Sequence, residues 1–444
     1  MTTRPGHVQQ QEAGLFTDAE VSRIRNDFPI LDRPVNGKPL VYLDSGATSQ
    51  KPVSVLAAEQ EFYEQRNAAV HRGAHHLAVD ATDAFEAARS TVAGFVGVAD
   101  DEIVWTANAT AGLNLLAYAF SNASVGRQSA AARRFALTAG DEVLVTEMEH
   151  HANLVPWQEL CRRTGAILRF IPIADDGNLR LEEAERLISD RTRVIAFTHV
   201  SNVLGLINPV EALVRMGRRF GALAVLDACQ SVPHLPVNLK ALDVDFAVFS
   251  SHKMLGPTGI GSLYGRRELL NDLPPVMTGG SMITTVTMQE SGYLPSPQRF
   301  EAGTQPVSQA VAFAAAVEYL KETGMGRIHN WERELGQRLV DGLSRLEGIR
   351  VLGPDGESER VGLAAFDVDG VHAHDVGQFL DARGIAVRVG HHCAQPVHRR
   401  LGLTASTRAS TYLYNTPAEV AAFLQSMGEV RSYFGVARQG GKHE

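Results

Sequence analysis

The chain has 444 residues, 44% apolar and 21% charged, the balance of a folded globular protein; this excludes a disordered, fibrous or collagen-like chain. Its 42 basic and 50 acidic residues leave a formal charge of −8, the wrong sign for a surface dedicated to nucleic-acid backbone. No run approaches about 18 consecutive apolar residues, the polar start lacks a signal core, and three cysteines make no disulfide framework. The expectation is a cytoplasmic protein with reduced thiols and no membrane or nucleic-acid partner.

Residues 41–44 read as a strand, and 79–96 as an amphipathic helix with Ala84, Phe85, Ala88, Val92 and Phe95 near a 3.6 period. Strands at 102–106, 142–146, 167–171, 194–198 and 223–227 then alternate with helices at 111–119, 156–164, 181–189 and 210–220. Strands at 245–250 and 261–264 close the series. This rhythm predicts an α/β fold with a mostly parallel sheet and helices on both faces. Residues 121–140 interrupt the rhythm and read as a surface insertion, while the first dozen residues and the tail at 439–442 read as loose ends. From residue 304 the texture changes. A long helical stretch at 308–346, broken at 324–326, precedes a strand at 361–367, a helix at 374–383, a strand at 385–389 and a helix at 417–434. A second, smaller α/β domain is expected, with its boundary near residue 300.

Ligands of open α/β sheets gather at the carboxyl ends of strands. Thr110 stands between a strand and a helix, where Ala109 and Thr110 either cradle a phosphate or Thr110 caps the helix. His150, Asn202, Asp227 with Gln230, and Ser250 with His252 and Lys253 follow successive strands. Lys253 alone among six lysines sits directly after an apolar strand and before a glycine-rich turn. A desolvated lysine, a carboxylate and a phosphate cradle are the parts of a pyridoxal phosphate (PLP) site; the other reading is a turn cap and a solvated lysine. Cys161 reads as core, and Cys229 as packing beside Asp227. Cys393, directly after His391-His392 and near Arg388, reads as either a nucleophile in an electropositive loop or an inert thiol. Adjacent histidines diverge and no Cys-x₂-Cys or His-Glu-x-x-His spacing occurs, so no metal site is expected.

The segments YLDSGATSQKP (42–52), AVHRGAH (69–75), TEMEHHANLVPWQ (146–158), THVSNVLG (198–205), LDACQS (226–231), FSSHKMLGPTGIG (249–261), RFEAGT (299–304), RVGHHCA (388–394) and RASTYLYNT (408–416) span nearly the whole chain. Together they resemble the cysteine desulfurases, PLP-dependent enzymes of fold type I, and specifically their Suf-type group. The resemblance implies a large PLP-binding domain over 31–300 and a small domain over 301–444 that carries the cysteine loop, with 1–30 packing on the small domain. It implies that Lys253 binds the cofactor and takes the substrate's α-proton, that Asp227 meets the ring nitrogen and Gln230 the ring hydroxyl, and that His150 stacks on the ring and helps to move protons. It gives the phosphate to Ala109, Thr110, Ser250 and His252, and to Thr304 from the partner subunit of a homodimer. Arg408 and Asn202, with Arg388 beside them, bind the carboxylate of L-cysteine. Cys393 takes the sulfur as a persulfide and passes it to a Suf-type acceptor protein for iron–sulfur assembly. A selenocysteine lyase or cysteine sulfinate desulfinase of the same fold is the alternative. Three positions depart from the family pattern: Ser251 for a glycine, Cys229 for a smaller residue, and Ala109 for a hydroxyl residue.

Overall fold

The computed structural model describes residues 14–125, 129–354 and 359–436. The expected loose ends therefore lie outside the described residues. Seven strands form the central sheet: β1 (Ile103–Thr106), β2 (Glu142–Thr146), β3 (Ile167–Ile171), β4 (Thr192–Thr198), β5 (Leu223–Asp227), β6 (Phe246–Ser250) and β7 (Gly261–Gly265). Their spatial order is β1-β7-β6-β5-β4-β2-β3. Only β7 runs antiparallel to its neighbours. Every residue of β2 and β6 is buried, because helices cover both faces and no side chain can be left to solvent. The alternation survives inside the protein: Phe246 and Val248 of β6 point into one apolar cluster, Ala247 and Phe249 into the other.

The first cluster packs under α3 (Ala109–Ser124) and α4 (Val155–Thr164). The second packs under α1 (Val53–Gln65), α2 (His76–Phe95), α5 (Val210–Arg218) and α6 (Val307–Thr323). The expected surface insertion at 121–140 is corrected here. Helix α3 runs through Ser124, and beyond 126–128, which fall outside the described residues, Phe135 and Leu137 are buried. The Phe135 ring stacks on Phe120 at 5.3 Å, so burial of two apolar side chains anchors the segment in the core. Arg89 on α2 is buried and forms two hydrogen bonds to Glu301, at 2.7 and 2.9 Å; Glu301 also accepts from the Trp105 N–H at 2.8 Å. This pair ties α2 and β1 to the stretch preceding α6.

A second sheet, wholly antiparallel, has the order β8-β9-β11-β10, with β8 (Ile349–Val351), β9 (Leu363–Val368), β10 (Arg388–Gly390) and β11 (Ser406–Ser410). Helices α7 (Met325–Ser344), α8 (Ala373–Asp381), α9 (Gln395–Arg400) and α10 (Pro417–Tyr433) accompany it. Gly324, with φ +90°, separates α6 from α7 at the expected break. The single strand expected at 385–389 is two: Ile385–Ala386 pairs in parallel with Val41–Tyr42, whereas Arg388–Gly390 joins β11. The helix Asp18–Asn26 rests on the same region, with Arg25 ion-paired to Glu419 at 2.9 Å and Phe16 edge-on to Trp331. Among the described residues no helix is long and apolar enough to cross a membrane.

Candidate active site

A cavity of about 400 Å³ opens at the carboxyl ends of β4, β5 and β6, and the second sheet closes it. The start of α3 forms one wall. Asn108, and not Thr110, caps this helix: its Oδ1 accepts the Ala111 N–H at 2.9 Å, since only a side chain one turn back can reach that donor. Ala109 donates its N–H to Ser250 Oγ at 2.9 Å, and Thr110, Ser250, Thr258 and His252 line the same end. Gly261 is required behind them, because a Cβ there would lie 2.9 Å from Asn108 Cα. Burial, with the charges of Lys253 and Lys51, pushes His252 down to about 4. A helix start ringed by hydroxyls is a binding site for a phosphate-sized anion.

Asp227 ends β5, is 4% exposed, and accepts the Cys229 N–H on Oδ1 at 3.0 Å. Lys253 lies in the short turn after β6. Sequence reasoning passed over Lys51, which donates to the carbonyls of Ser49 and His252 and so braces the peptide before Lys253. Gln230 donates to Gly46 O at 2.7 Å, while its buried Oε1 has no partner among the described residues. His150 is pushed down to about 4, chiefly by burial and then by the Lys253 charge. Its Nδ1 accepts the Ala152 N–H at 3.0 Å, which places the proton of the neutral ring on Nε2.

Arg408 and Arg388 are paired across the β10–β11 ladder, so one register brings both guanidinium groups to the cavity. Arg408 is buried; it donates to the Asn202 carbonyl at 2.9 Å and lies 3.4 Å from Asp44. Desolvation lowers it to about 10, which leaves it charged at neutral pH. Asn202 lines the cavity, yet its Nδ2 donates to the carbonyl of His392 at 2.6 Å, leaving one N–H for a substrate. His392 and Cys393 both hold left-handed backbones, at φ +50° and +57°. The His151 N–H donates to the Cys393 carbonyl at 2.6 Å, which holds the exposed Cys393 thiol at the cavity. Burial and the Asp227 carboxylate push the Cys229 thiol up, away from thiolate. Cys161 is buried in α4, and burial pushes it up to about 11. Thr304 is exposed and lies outside this cavity.

Residues 41–423 match the Aminotransferase class-V family. A protein of Mycobacterium leprae (strain TN), described as probable cysteine desulfurase 2, is 53% identical over 424 residues, covering 95% of this chain and 99% of that one. The chain belongs to this family, among its cysteine desulfurases. A probable cysteine desulfurase of Streptomyces coelicolor is 49% identical, covering 94% and 98% of the two chains. The apo structure of a cysteine desulfurase from Thermococcus onnurineus NA1 superposes with a TM-score of 0.87 at 38% identity, over 95% of this chain and 100% of that one. Within the enzyme's cavity, sequence reasoning missed Asn108, Thr258 and His392 as well as the brace from Lys51. All but Lys51 line it, and each lies inside or beside a strand-end segment that had been singled out.

Proposed function

We propose that the enzyme uses PLP to take sulfur from L-cysteine, leaving L-alanine and a persulfide on Cys393. The observation that carries this reading is an exposed thiol on a strained loop, brought into one cavity with a lysine and a buried carboxylate. The cavity's chemistry fits the cofactor. The start of α3 with Ser250, Thr110 and His252 suits its phosphate. Asp227 suits a protonated ring nitrogen, and the unpaired Oε1 of Gln230 suits a ring hydroxyl. Lys253 would hold the cofactor through its ε-amine, with His150 against the ring. Bound there, PLP supplies an electron sink for charge that develops on the substrate's carbon atoms.

The chain's own residues do the rest. Arg408, with Arg388 and the remaining Asn202 N–H, binds the substrate carboxylate and turns its thiol toward Cys393. The Lys253 amine takes the α-proton. The Cys393 sulfur attacks the substrate sulfur: one S–S bond forms, one C–S bond breaks, and the electron pair of the broken bond stays on carbon. The sum, one L-cysteine and one thiol giving one alanine and one persulfide, needs no external oxidant. Release of the sulfur to an acceptor, of the Suf type and toward iron–sulfur assembly, belongs to the same reading. So does a homodimer, in which Thr304 reaches the phosphate site of the partner. The division of the chain at residue 300, with 1–30 on the smaller side, is also part of it. A reducing cytoplasm suits a nucleophile that must remain a thiol.

The test is alanine formed from L-cysteine with PLP and a thiol reductant, for the wild type and Cys393→Ala. Loss of turnover in the variant alone supports the reading. Equal turnover would assign the chemistry elsewhere. A variant that retains turnover on cysteine sulfinate or selenocysteine would favour the desulfinase or lyase alternative.

A further inference from the structure

Beneath Cys393 lie two imidazoles and a hydroxyl that the reaction as drawn does not use. Ser406 opens β11 opposite Gly390, the residue from which the cysteine loop departs. Its Oγ is 2.9 Å from Nε2 of His392 and 2.9 Å from Nε2 of His398 on α9. All three side chains are buried, His392 at 4% exposure and the other two at 0%.

The proton positions follow from one carbonyl. His398 Nδ1 lies 3.0 Å from Ala394 O, which can only accept, so His398 carries its proton on Nδ1 and a lone pair on Nε2. Ser406 has a single hydrogen, and it goes to that lone pair. The Ser406 oxygen can then only accept from His392, which must be the Nε2–H tautomer. Both rings are held neutral, His398 by burial and His392 by burial together with the charges of Arg408 and Arg388 and the neighbouring His391 and His398. In that tautomer the buried Nδ1 of His392 is a bare acceptor, and it has no partner among the described residues.

The loop needs such a hold. His392 and Cys393 are consecutive non-glycine residues with φ +50° and +57°, following Gly390 at +110°. Asn202 and the His151 N–H hold the carbonyls of His392 and Cys393, and His151 Nε2 accepts the Gln395 N–H at 3.1 Å. These contacts hold the loop's backbone, whereas Ser406 holds a side chain. We propose that Ser406 and His398 are positioning residues that lock the tautomer and orientation of His392 and thereby keep the Cys393 loop in its left-handed conformation. The proposal rests on the reading that Cys393 receives the sulfur.

The experiment uses the PLP-loaded enzyme and three variants. Ser406→Ala removes the relay's centre, His398→Met removes the acceptor at similar volume, and His398→Gln retains an acceptor at the Nε2 position. Two quantities are read: kcat and KM for L-cysteine, and the rate at which iodoacetamide alkylates Cys393, followed by mass spectrometry of its peptide. The expected result is a kcat lowered about tenfold or more in Ser406→Ala and His398→Met. KM and cofactor absorbance should stay near wild type, the alkylation rate should change several-fold, and His398→Gln should restore both quantities. Wild-type kcat and alkylation in the first two variants would overturn the relay. So would His398→Gln failing as badly as His398→Met, which would reduce His398 to a packing residue. If Ser406→Ala does not fold, the two His398 variants decide. Full turnover by Cys393→Ala would sink the sulfur-acceptor reading, while the alkylation rates would still judge the relay.

Discussion

At the scale of single residues, environment separates side chains of the same type. Cys229 and Cys393 both border the cavity, but Cys229 is enclosed beside the Asp227 carboxylate while Cys393 is exposed on a loop. Only the exposed one can meet both a substrate and an acceptor. Arg408 is a similar case. Its guanidinium is buried and already gives one N–H to the Asn202 carbonyl, yet it has donors to spare for a carboxylate. A lysine could supply charge there but not a second parallel hydrogen bond. Arg408→Lys is therefore expected to raise KM for L-cysteine by about tenfold, with a smaller change in kcat. Steady-state kinetics on the PLP-loaded enzyme checks this, and an unchanged KM would place the carboxylate elsewhere.

At the scale of elements, the RFEAGT segment shows how a resemblance can have a structural cause. Its glutamate, Glu301, faces Arg89 of α2 and the Trp105 N–H of β1 in a site where neither side chain exceeds 3% exposure. Removing Glu301 takes away the buried partner and leaves Arg89 in the core with only Glu86, at 2.8 Å on the more exposed side, to offset its charge. Glu301→Ala is expected to cost about 3–5 kcal/mol, more than the loss of its carbon atoms alone would explain. Urea unfolding should show the shift in midpoint. The double variant Arg89→Met with Glu301→Ala should recover part of it, because no charge is then left buried; Glu86, which also loses Arg89, is part-exposed and keeps His71.

At the scale of the whole molecule, buried titratable groups set the pH response. Among the described residues seven imidazoles are shifted down, His150, His199 and His252 to about 4 and His392 to about 2, with His151, His329 and His398 lowered as well; burial is the leading cause in each. The unfolded chain protonates its histidines near about 6.5. Between about pH 4 and 6.5 it binds protons that the native state refuses, so native stability rises with pH across that window. Among the described residues burial shifts four carboxyls the other way: Glu149 rises to about 8, and Asp44, Glu332 and Glu419 are raised. Glu149 accepts from Thr146, Asn153 and the Thr198 N–H, stitching the ends of β2 and β4 together. Its protonated form is the native one, so its contribution is complete below the unfolded carboxyl's value of about 4.3 and is lost as pH rises from there through about 8. The melting temperature is expected to climb from pH 5 to 6.5 and then to decline toward pH 8. Glu149→Gln should flatten that decline, and a parallel decline in the variant would count against the assignment.

The sequence by itself determined the class of fold and named most of the candidate residues that the structure gathers around one cavity. Strand-end residues such as Asp227, Ser250 and Lys253 are legible because parallel sheets present ligands where their strands stop, and strands announce themselves by short apolar runs. The break at Gly324 was legible for a comparable local reason. Tertiary structure alone decided what local pattern does not encode. Whether Ile385–Ala386 and Arg388–Gly390 are one strand or two depends on a partner strand more than 300 residues away. The burial of Phe135 depends on where Phe120 happens to lie. The hold on Cys393 comes from Asn202, His151 and Ser406, which approach it from separate parts of the chain. Hydrogen bonds of that kind are set by packing between elements, and no periodicity within any one element can report them.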